Sequence, residues 1–331
     1  MTRLPGITLV DPAIADGGRD RPLGWLRSPW LPWLAAGVVV AYAMIAGGYP
    51  ATVVSFALIY AVFVTGLNVF MGFANQVSFG QNAFAAIGGY SSAILTANYD
   101  WPVLPAMLAG VVLAIGAAVL IGLPTLRLKG HYLAMGTLAI GLIVYEITVE
   151  WQSLTQGYLG ISGIPPLGIG SWEITSDRGQ LAALTIIVLV LSCGSFRLRH
   201  SRIGRAFAAV AGSEDAARAL GIKASRTKLL AFLIAAALAS ISGSLFVHVV
   251  GYVSPEVFGL HMVILGFTML YVGGIGTIAG PLTGALIISL LPEIFHPFSE
   301  YQDLAYGAAL ILLLIHAPRG FSALFASRDR A

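Results

Sequence analysis

The 331-residue chain is 57% hydrophobic and only 10% charged, with a mean hydropathy of +0.86. A soluble globular chain carries about 25% charged residues, so these few charges cannot cover a water-facing surface and the bilayer must be the main solvent. The net charge of +3 comes from basic residues that fall between apolar runs, a membrane-topology pattern rather than a nucleic-acid footprint, and the single cysteine, Cys193, allows neither an intramolecular disulfide nor a cysteine metal cluster.

Residues 1–28 hold Arg3, Arg19, Arg21 and Arg27 with Asp11, Asp16 and Asp20, and lack the apolar stretch and cleavage site of a signal peptide. They are expected to form a flexible cytoplasmic tail. A spanning helix needs about 20 apolar residues. Ten segments are candidates in the permease region 29–318, the last of them short: Leu31–Gly47, Pro50–Met71, Phe79–Ala97, Val103–Leu123, His131–Val149, Gln180–Phe196, Lys228–Val250, Phe258–Ile275, Thr277–Phe295 and Asp303–Ala317. The expected fold is therefore all-α, a polytopic helical membrane protein with about ten transmembrane helices. The pair flanking Gly276 could instead be half-helices.

Charge sets the expected orientation. The stretch 197–227 and Lys228 together carry Arg197, Arg199, Arg202, Arg205, Arg218, Lys223, Arg226 and Lys228, which marks a cytoplasmic loop. The basic residues of the tails, including Arg319, Arg328 and Arg330 in 319–331, put both termini inside. Ten crossings satisfy this, place Arg127 and Lys129 inside, and leave Asp100, Glu150, Glu173 and Glu256 outside. The external segment 150–179 is rich in Gly, Pro and Ser and suits an ordered cap.

Polar residues interrupt the second and third runs: Asn75, Gln76, Ser78, Gln81 and Asn82, with Gly72, Gly80, Gly88 and Gly89 around them. Buried amides are costly in lipid unless paired. They could line a translocation path for a zwitterionic substrate, or form a polar turn beside helix-packing glycines. Within 197–227, Ser213 is a good N-cap, Glu214 and Asp215 suit the first turn, and Gly221 stands where a helix ends in a left-handed residue. This short helix is either an ordinary basic loop or a coupling helix, in which the small Ala216 and Ala217 allow a partner's close approach. Later, Gly273, Gly274, Gly276, Gly280 and Pro281 mark a helix break, with Pro281 opening the next helix. The formal G-x-G-x-x-A there lacks the strand of a dinucleotide fold.

Chemistry of other kinds finds little support. Glu146 and Glu150 share a helix face at the external rim, and the six histidines have no metal-ligand spacing, so no metal and no catalytic set is expected. The chain has no Gly-x-x-x-x-Gly-Lys-Ser/Thr loop to hold ATP. A stand-alone secondary transporter would favour ionisable residues deep in the spans, and almost none are present.

Asp215-Ala216-Ala217-x-x-x-Gly221 resembles the EAA loop of bacterial ABC importer permeases, with Asp for Glu and without the distal Ile-x-Leu-Pro. The strings SRIGRAFAAVAGSEDAARALGIKASRTKLLAF, GLNVFMGFANQVSFGQNAFAAIGGYSSAIL, RLKGHYLAMGTLAIG, GISGIPP and GYVSPEVF…GGIGTIAGPLTGALI are similar to LivM-type permeases of branched-chain amino acid importers. That resemblance runs from about Gly66 to Pro292. It implies a multi-pass subunit of the bacterial inner membrane, paired with a LivH-like permease, two cytoplasmic ABC ATPases and a periplasmic substrate-binding protein. ATP and Mg would sit on the ATPases, with no cofactor in this chain. Gly204, Arg205, Asp215, Ala216, Ala217 and Gly221 would couple to the ATPases, and Asn75, Gln76, Ser78, Gln81, Gly88 and Gly89 would border the path. The implied substrate is a branched-chain amino acid, with urea or a short amide as the alternative.

Overall fold

The computed structural model describes residues 31–169, 172–295 and 311. The expected tails 1–28 and 319–331 lie outside the described residues, as does the segment Asp303–Ala317 except for Ile311. The long helices are α1 (Leu31–Ala46), α2 (Gly48–Leu67), α3 (Gln81–Tyr99), α4 (Val103–Thr125), α5 (His131–Glu150), α7 (Asp177–His200), α10 (Ala224–Val250), α11 (Leu260–Gly273) and α12 (Gly280–Phe295). Each overlaps one of the expected segments. The short helices are α6 (Gln152–Thr155), α8 (Arg202–Gly212) and α9 (Glu214–Ala219), and a π-helical turn, Asn68–Phe73, extends α2.

Among the described residues six stretches are long and apolar enough to cross a membrane: Gly48–Phe73, Val103–Thr125, His131–Glu150, Asp177–His200, Ala224–Val250 and Pro255–Gly273. Helices α1 and α12 are apolar but shorter. Helix α3 has the length, yet it carries Gln81, Asn82, two glycines and two serines. It tolerates them because its Gln81, Asn82, Phe84, Tyr90, Ser92 and Thr96 are all buried, so it has little lipid to satisfy. Helices α4, α5 and α7 are the opposite case, with Leu108, Val112, Leu120, Ile143 and Val190 exposed. Such side chains are what a lipid-facing or partner-facing surface requires.

Helices α2, α3 and α10 form the centre. The seam between α3 and α10 is built from small residues, which let two backbones approach and replace the hydrophobic drive that lipid removes. Gly88 lies against the Ser240 backbone, and a Cβ on Gly243 would overlap the Ala85 carbonyl. Ser244 Oγ donates to the Gly88 carbonyl at 3.0 Å, and Ser242 Oγ donates across to Ile59 O of α2 at 2.9 Å. Below this seam Phe232 packs against Phe70 and edge-on against Phe84. Interhelical hydrogen bonds of this kind contribute about 0.6 kcal/mol each on average, so the close packing is the larger stabilising contribution.

Two ends of the bundle differ in charge. At one end lie the C-terminus of α7, helices α8 and α9, the start of α10 and the α11–α12 turn, joined by contacts from Arg199 to Gly276 and from Asn75 to Ala211. Arg197, Arg199, Arg202, Arg205, Arg218, Lys223, Arg226 and Lys228 are all here. The other end is tied by Arg178 to Ile45 O, Tyr49 to Glu293 and Tyr252 to Leu159 O. It carries Glu173, Asp177, Glu256 and Glu293.

The expected external segment is an ordered cap at this acidic end. Strand β1 (Ile161–Ser162) pairs antiparallel with β4 (Tyr252–Val253), and β2 (Gly168–Ile169) pairs with β3 (Trp172–Glu173). His248 fastens the cap to the bundle. One ring nitrogen, Nε2, is 2.8 Å from Ser92 Oγ of α3, and Nδ1 is 2.8 Å from Pro165 O. Only a tautomer with the proton on Nδ1 lets the ring donate to that carbonyl and accept from the serine.

Candidate functional site

The basic end carries α8 and α9, the segment expected to couple to a partner, and its local chemistry explains its shape. Helix α8 begins where Ser201 Oγ accepts from Gly204 N at 3.2 Å, and α9 begins where Ser213 Oγ accepts from Ala216 N at 3.3 Å. Each cap satisfies an otherwise orphaned backbone donor. Gly204 has a second reason to be glycine: a Cβ there would overlap the Leu198 and Arg199 carbonyls, so it permits the sharp α7–α8 turn. Arg205 braces the same turn by donating to His200 O at 3.1 Å. Helix α8 is amphipathic, with Phe207 and Val210 buried beneath an arginine-bearing outer face.

Helix α9 is bound to the bundle by an ion pair. Glu214 Oε2 accepts from Lys228 Nζ at 2.6 Å, Lys228 is 4% exposed, and Arg218 bridges Glu214 and Asp215. Burial alone would raise the Glu214 carboxyl, but the hydrogen bond and charge of Lys228, with Arg218 and Lys129, outweigh it and hold the carboxyl below the ordinary glutamate range. Gly221, at φ 83°, ends the helix in the left-handed region. Its N–H reaches Arg218 O, and Ile222 N reaches Ala217 O.

One part of the expected docking face is corrected. Ala217 points inward, 2% exposed, and packs with Val210 and Ala224. The outward residues are Asp215, Ala216, Ala219 and Leu220, with Leu220 81% exposed. Periodicity in a six-residue helix does not say which side is inner; that depends on Ala224, which arrives from α10. Beside Leu220, a concavity of about 450 Å³ is lined by Arg218, Gly221, Lys223 and Arg226 among others.

The break expected at Gly273–Pro281 is present. Gly274 at φ 106° and Gly276 at φ 76° turn the chain between α11 and α12, and Gly280 N donates to Thr277 Oγ1 at 3.1 Å, which caps α12. Gly273 packs against the Gly280 carbonyl, so a side chain there would part the two helices. Asn68, which the sequence alone did not single out, holds this turn: its Oδ1 accepts from Gly276 N at 2.7 Å and its Nδ2 donates to Thr277 O at 2.8 Å.

The polar residues divide. Asn75, at φ 51°, and Gln76 sit in the turn before α3, where Asn75 Nδ2 faces Ala211 O of α8 at 3.4 Å and Gln76 Nε2 donates to backbone carbonyls nearby. Ser78, Gln81 and Asn82 are 1–2% exposed. Asn82 Nδ2 donates to Phe258 O at 2.9 Å. Neither amide atom of Gln81, nor Asn82 Oδ1, has a hydrogen-bond partner among the described residues. Gly88 and Gly89, expected beside the pathway, pack against helices of this chain: Gly88 meets Ser240 and Gly89 meets Phe258 and Gly243. Small residues in a bundle core and small residues beside a pathway look alike in sequence.

A family described as branched-chain amino acid transport system, permease component, matches residues 49–316. The high-affinity branched-chain amino acid transport system permease proteins LivM of Salmonella typhimurium and Escherichia coli are 34% and 33% identical over 310 residues, covering 86% of this chain and 72% of theirs. The corresponding LivH protein of Salmonella typhimurium is 28% identical over 282 residues, covering 79% of this chain and 90% of the relative. No solved structure matches.

Proposed function

This chain belongs to the family of branched-chain amino acid transport permeases, and from that premise we propose that it is one of two membrane subunits of an ABC importer for branched-chain amino acids in the bacterial inner membrane. A LivH-like permease completes the channel, two cytoplasmic ABC ATPases bind ATP and Mg, and a periplasmic binding protein delivers substrate. The basic end faces the cytosol, as the positive-inside rule requires, and the acidic-end cap faces the binding protein.

The observation that carries this reading is α9. It is capped at both ends, anchored by Glu214 to Lys228, and yet presents Leu220 and a row of small residues to solvent. An anchored helix transmits force to the bundle, whereas a frayed loop would absorb it. Leu220, Ala216 and Ala219 form the surface offered to an ATPase groove. Ser78 and Gln81, with Asn75 and Gln76 nearer the mouth, border the inner part of the pathway, where the Gln81 amide, without a partner among the described residues, can receive a polar substrate at low cost in reorganisation.

The test is reconstitution. The complete assembly in liposomes is expected to take up leucine, isoleucine or valine only with ATP and binding protein present. Uptake by this chain alone, driven by an ion gradient, would overturn the proposal. Uptake of urea in preference to leucine would replace the substrate while leaving the mechanism.

A further inference from the structure

Gly276 is held at both of its backbone polar groups by side chains from two different helices. Its N–H donates to Asn68 Oδ1 of the π-helical turn after α2 at 2.7 Å, and its carbonyl accepts from Arg199 Nη1 of α7 at 2.7 Å. Asn68 also binds the next carbonyl, that of Thr277, at 2.8 Å. The Arg199 guanidinium lies over the Phe73 ring, 5.8 Å from its centroid, so it also touches the end of the same π-helical turn. Gly72 fits between: a Cβ on it would come within 2.6 Å of Gly276 N.

Arg199 stands two residues before Ser201, which caps α8, and its own carbonyl is one of the two against which Gly204 packs. The α7–α8 turn therefore cannot rotate without moving the arginine. We infer that Arg199 is the positioning residue that transmits motion of the coupling segment to the α11–α12 break. Through Gly276, Arg199 ties the ATPase-facing helices α8 and α9 to the turn between α11 and α12, where Gly274 and Gly276, both at positive φ, let the backbone hinge. The inference rests on the reading of α8 and α9 as the coupling segment. It adds a route by which their movement reaches the inner mouth of the pathway.

The route has the right mechanics. The π-helical turn leaves α2 with irregular backbone bonding at the point of contact, a form that recurs at functional sites. Gly274 and Gly276, at φ 106° and 76°, can change backbone conformation without the steric penalty other residues meet. A charge-assisted bond to one carbonyl is strong enough to pull and, being partly solvated, weak enough to exchange. Asn68 would hold the hinge fixed to α2 while Arg199 moves it.

The experiment uses the whole assembly in liposomes and measures leucine transported per ATP hydrolysed. Arg199→Ala is expected to lower that ratio at least about threefold, the scale on which mutations along a coupling route act, while stimulated ATP hydrolysis persists. Arg199→Lys keeps a donor within reach of the carbonyl and is expected to recover most of the ratio, which a loss of bulk alone would not predict. Asn68→Ala should lower the ratio similarly, and the double variant should be less than additive because both act on Gly276. A wild-type ratio in Arg199→Ala overturns the inference, as does a proportional loss of hydrolysis and transport, which would make Arg199 an ATPase-docking residue. Should Arg199→Ala fail to reach the membrane, Ile275→Cys in a Cys193→Ser background gives a second measurement. Its labelling rate is expected to differ between ATP-bound and nucleotide-free assemblies, and equal rates overturn the inference. A wild-type assembly without ATP-driven uptake would count against the proposed function instead, so the two failures are distinct.

Discussion

Glu214 and Lys228 face each other across 2.6 Å between α9 and α10, with the lysine almost fully enclosed. Removing one partner of such a pair strands the other charge. Glu214→Gln is therefore expected to loosen α9 by about 1.5–3 kcal/mol, the range for hydrogen bonds to charged groups. The check is protease nicking between α9 and α10 in detergent, which should rise while the melting of the spans changes little. Exchanging the two, as Glu214→Lys with Lys228→Glu, should recover part of the loss.

The same pair sets an acid limit. The folded-state carboxyl of Glu214 lies below the ordinary value of 4.5, so its contribution is fully present above that value. It is lost as pH falls through the lower, folded-state value. Nicking of wild-type protein should thus rise only below about pH 4.5, and the Glu214→Gln protein should show no such acid step. A wild-type rise beginning near neutrality would point to another group.

Ala216 and Ala217 are adjacent and should respond oppositely. Ala217→Leu forces three extra carbons into the contact with Val210 and Ala224, which overpacking places at about 1–3 kcal/mol. Ala216→Leu adds them on the exposed side and should leave the isolated permease unchanged in melting temperature. Co-purification with the ATPases should show the complementary result: Ala216→Leu and Leu220→Asp lose the partner without unfolding.

Much of the fold was legible because lipid imposes a simple demand. A run of about 20 apolar residues must hydrogen-bond its own backbone and so becomes a helix, which is why every long described helix coincides with an expected segment. The break at Gly273–Pro281 was legible because glycine and proline act on the backbone locally. Asn68 was not legible. It stands inside an apolar run, and its partner Gly276 is 208 residues away, so no window in the sequence contains both. Arg199 was visible only as one of several topological charges, since orientation requires a positive residue near that position but does not say which carbonyl it caps. The inward turn of Ala217 and the packing of Gly88 against Ser240 were not legible for a related reason, because each depends on a facing surface delivered by α10.

Gly243 tests the small-residue seam. A Cβ there would overlap the Ala85 carbonyl, and backbone cannot step aside as a flexible side chain can. Gly243→Val is expected to separate α3 from α10 and to reduce properly folded permease sharply, measured as monodisperse protein recovered from membranes. Ser240→Ala is the control: its hydroxyl has no hydrogen-bond partner in the seam, so removing it should be neutral or slightly stabilising.

Gln81 distinguishes a pathway residue from a structural one. It is 2% exposed and neither amide atom has a partner among the described residues. If the amide served only the fold, replacing it with a similar apolar volume would relieve an unsatisfied polar group, and the protein would gain stability with transport intact. A residue that receives substrate gives a different pair of results. Gln81→Leu should melt at the same temperature or higher, while the assembly's transport rate at saturating binding protein falls by about tenfold, corresponding to one lost polar contact of about 1.4 kcal/mol. Gln81→Glu should be impaired as well, because a carboxylate at that position would repel the substrate's own. Unimpaired transport in Gln81→Leu would remove Gln81 from the pathway and leave Asn75, Gln76 and Ser78 to be tested in its place.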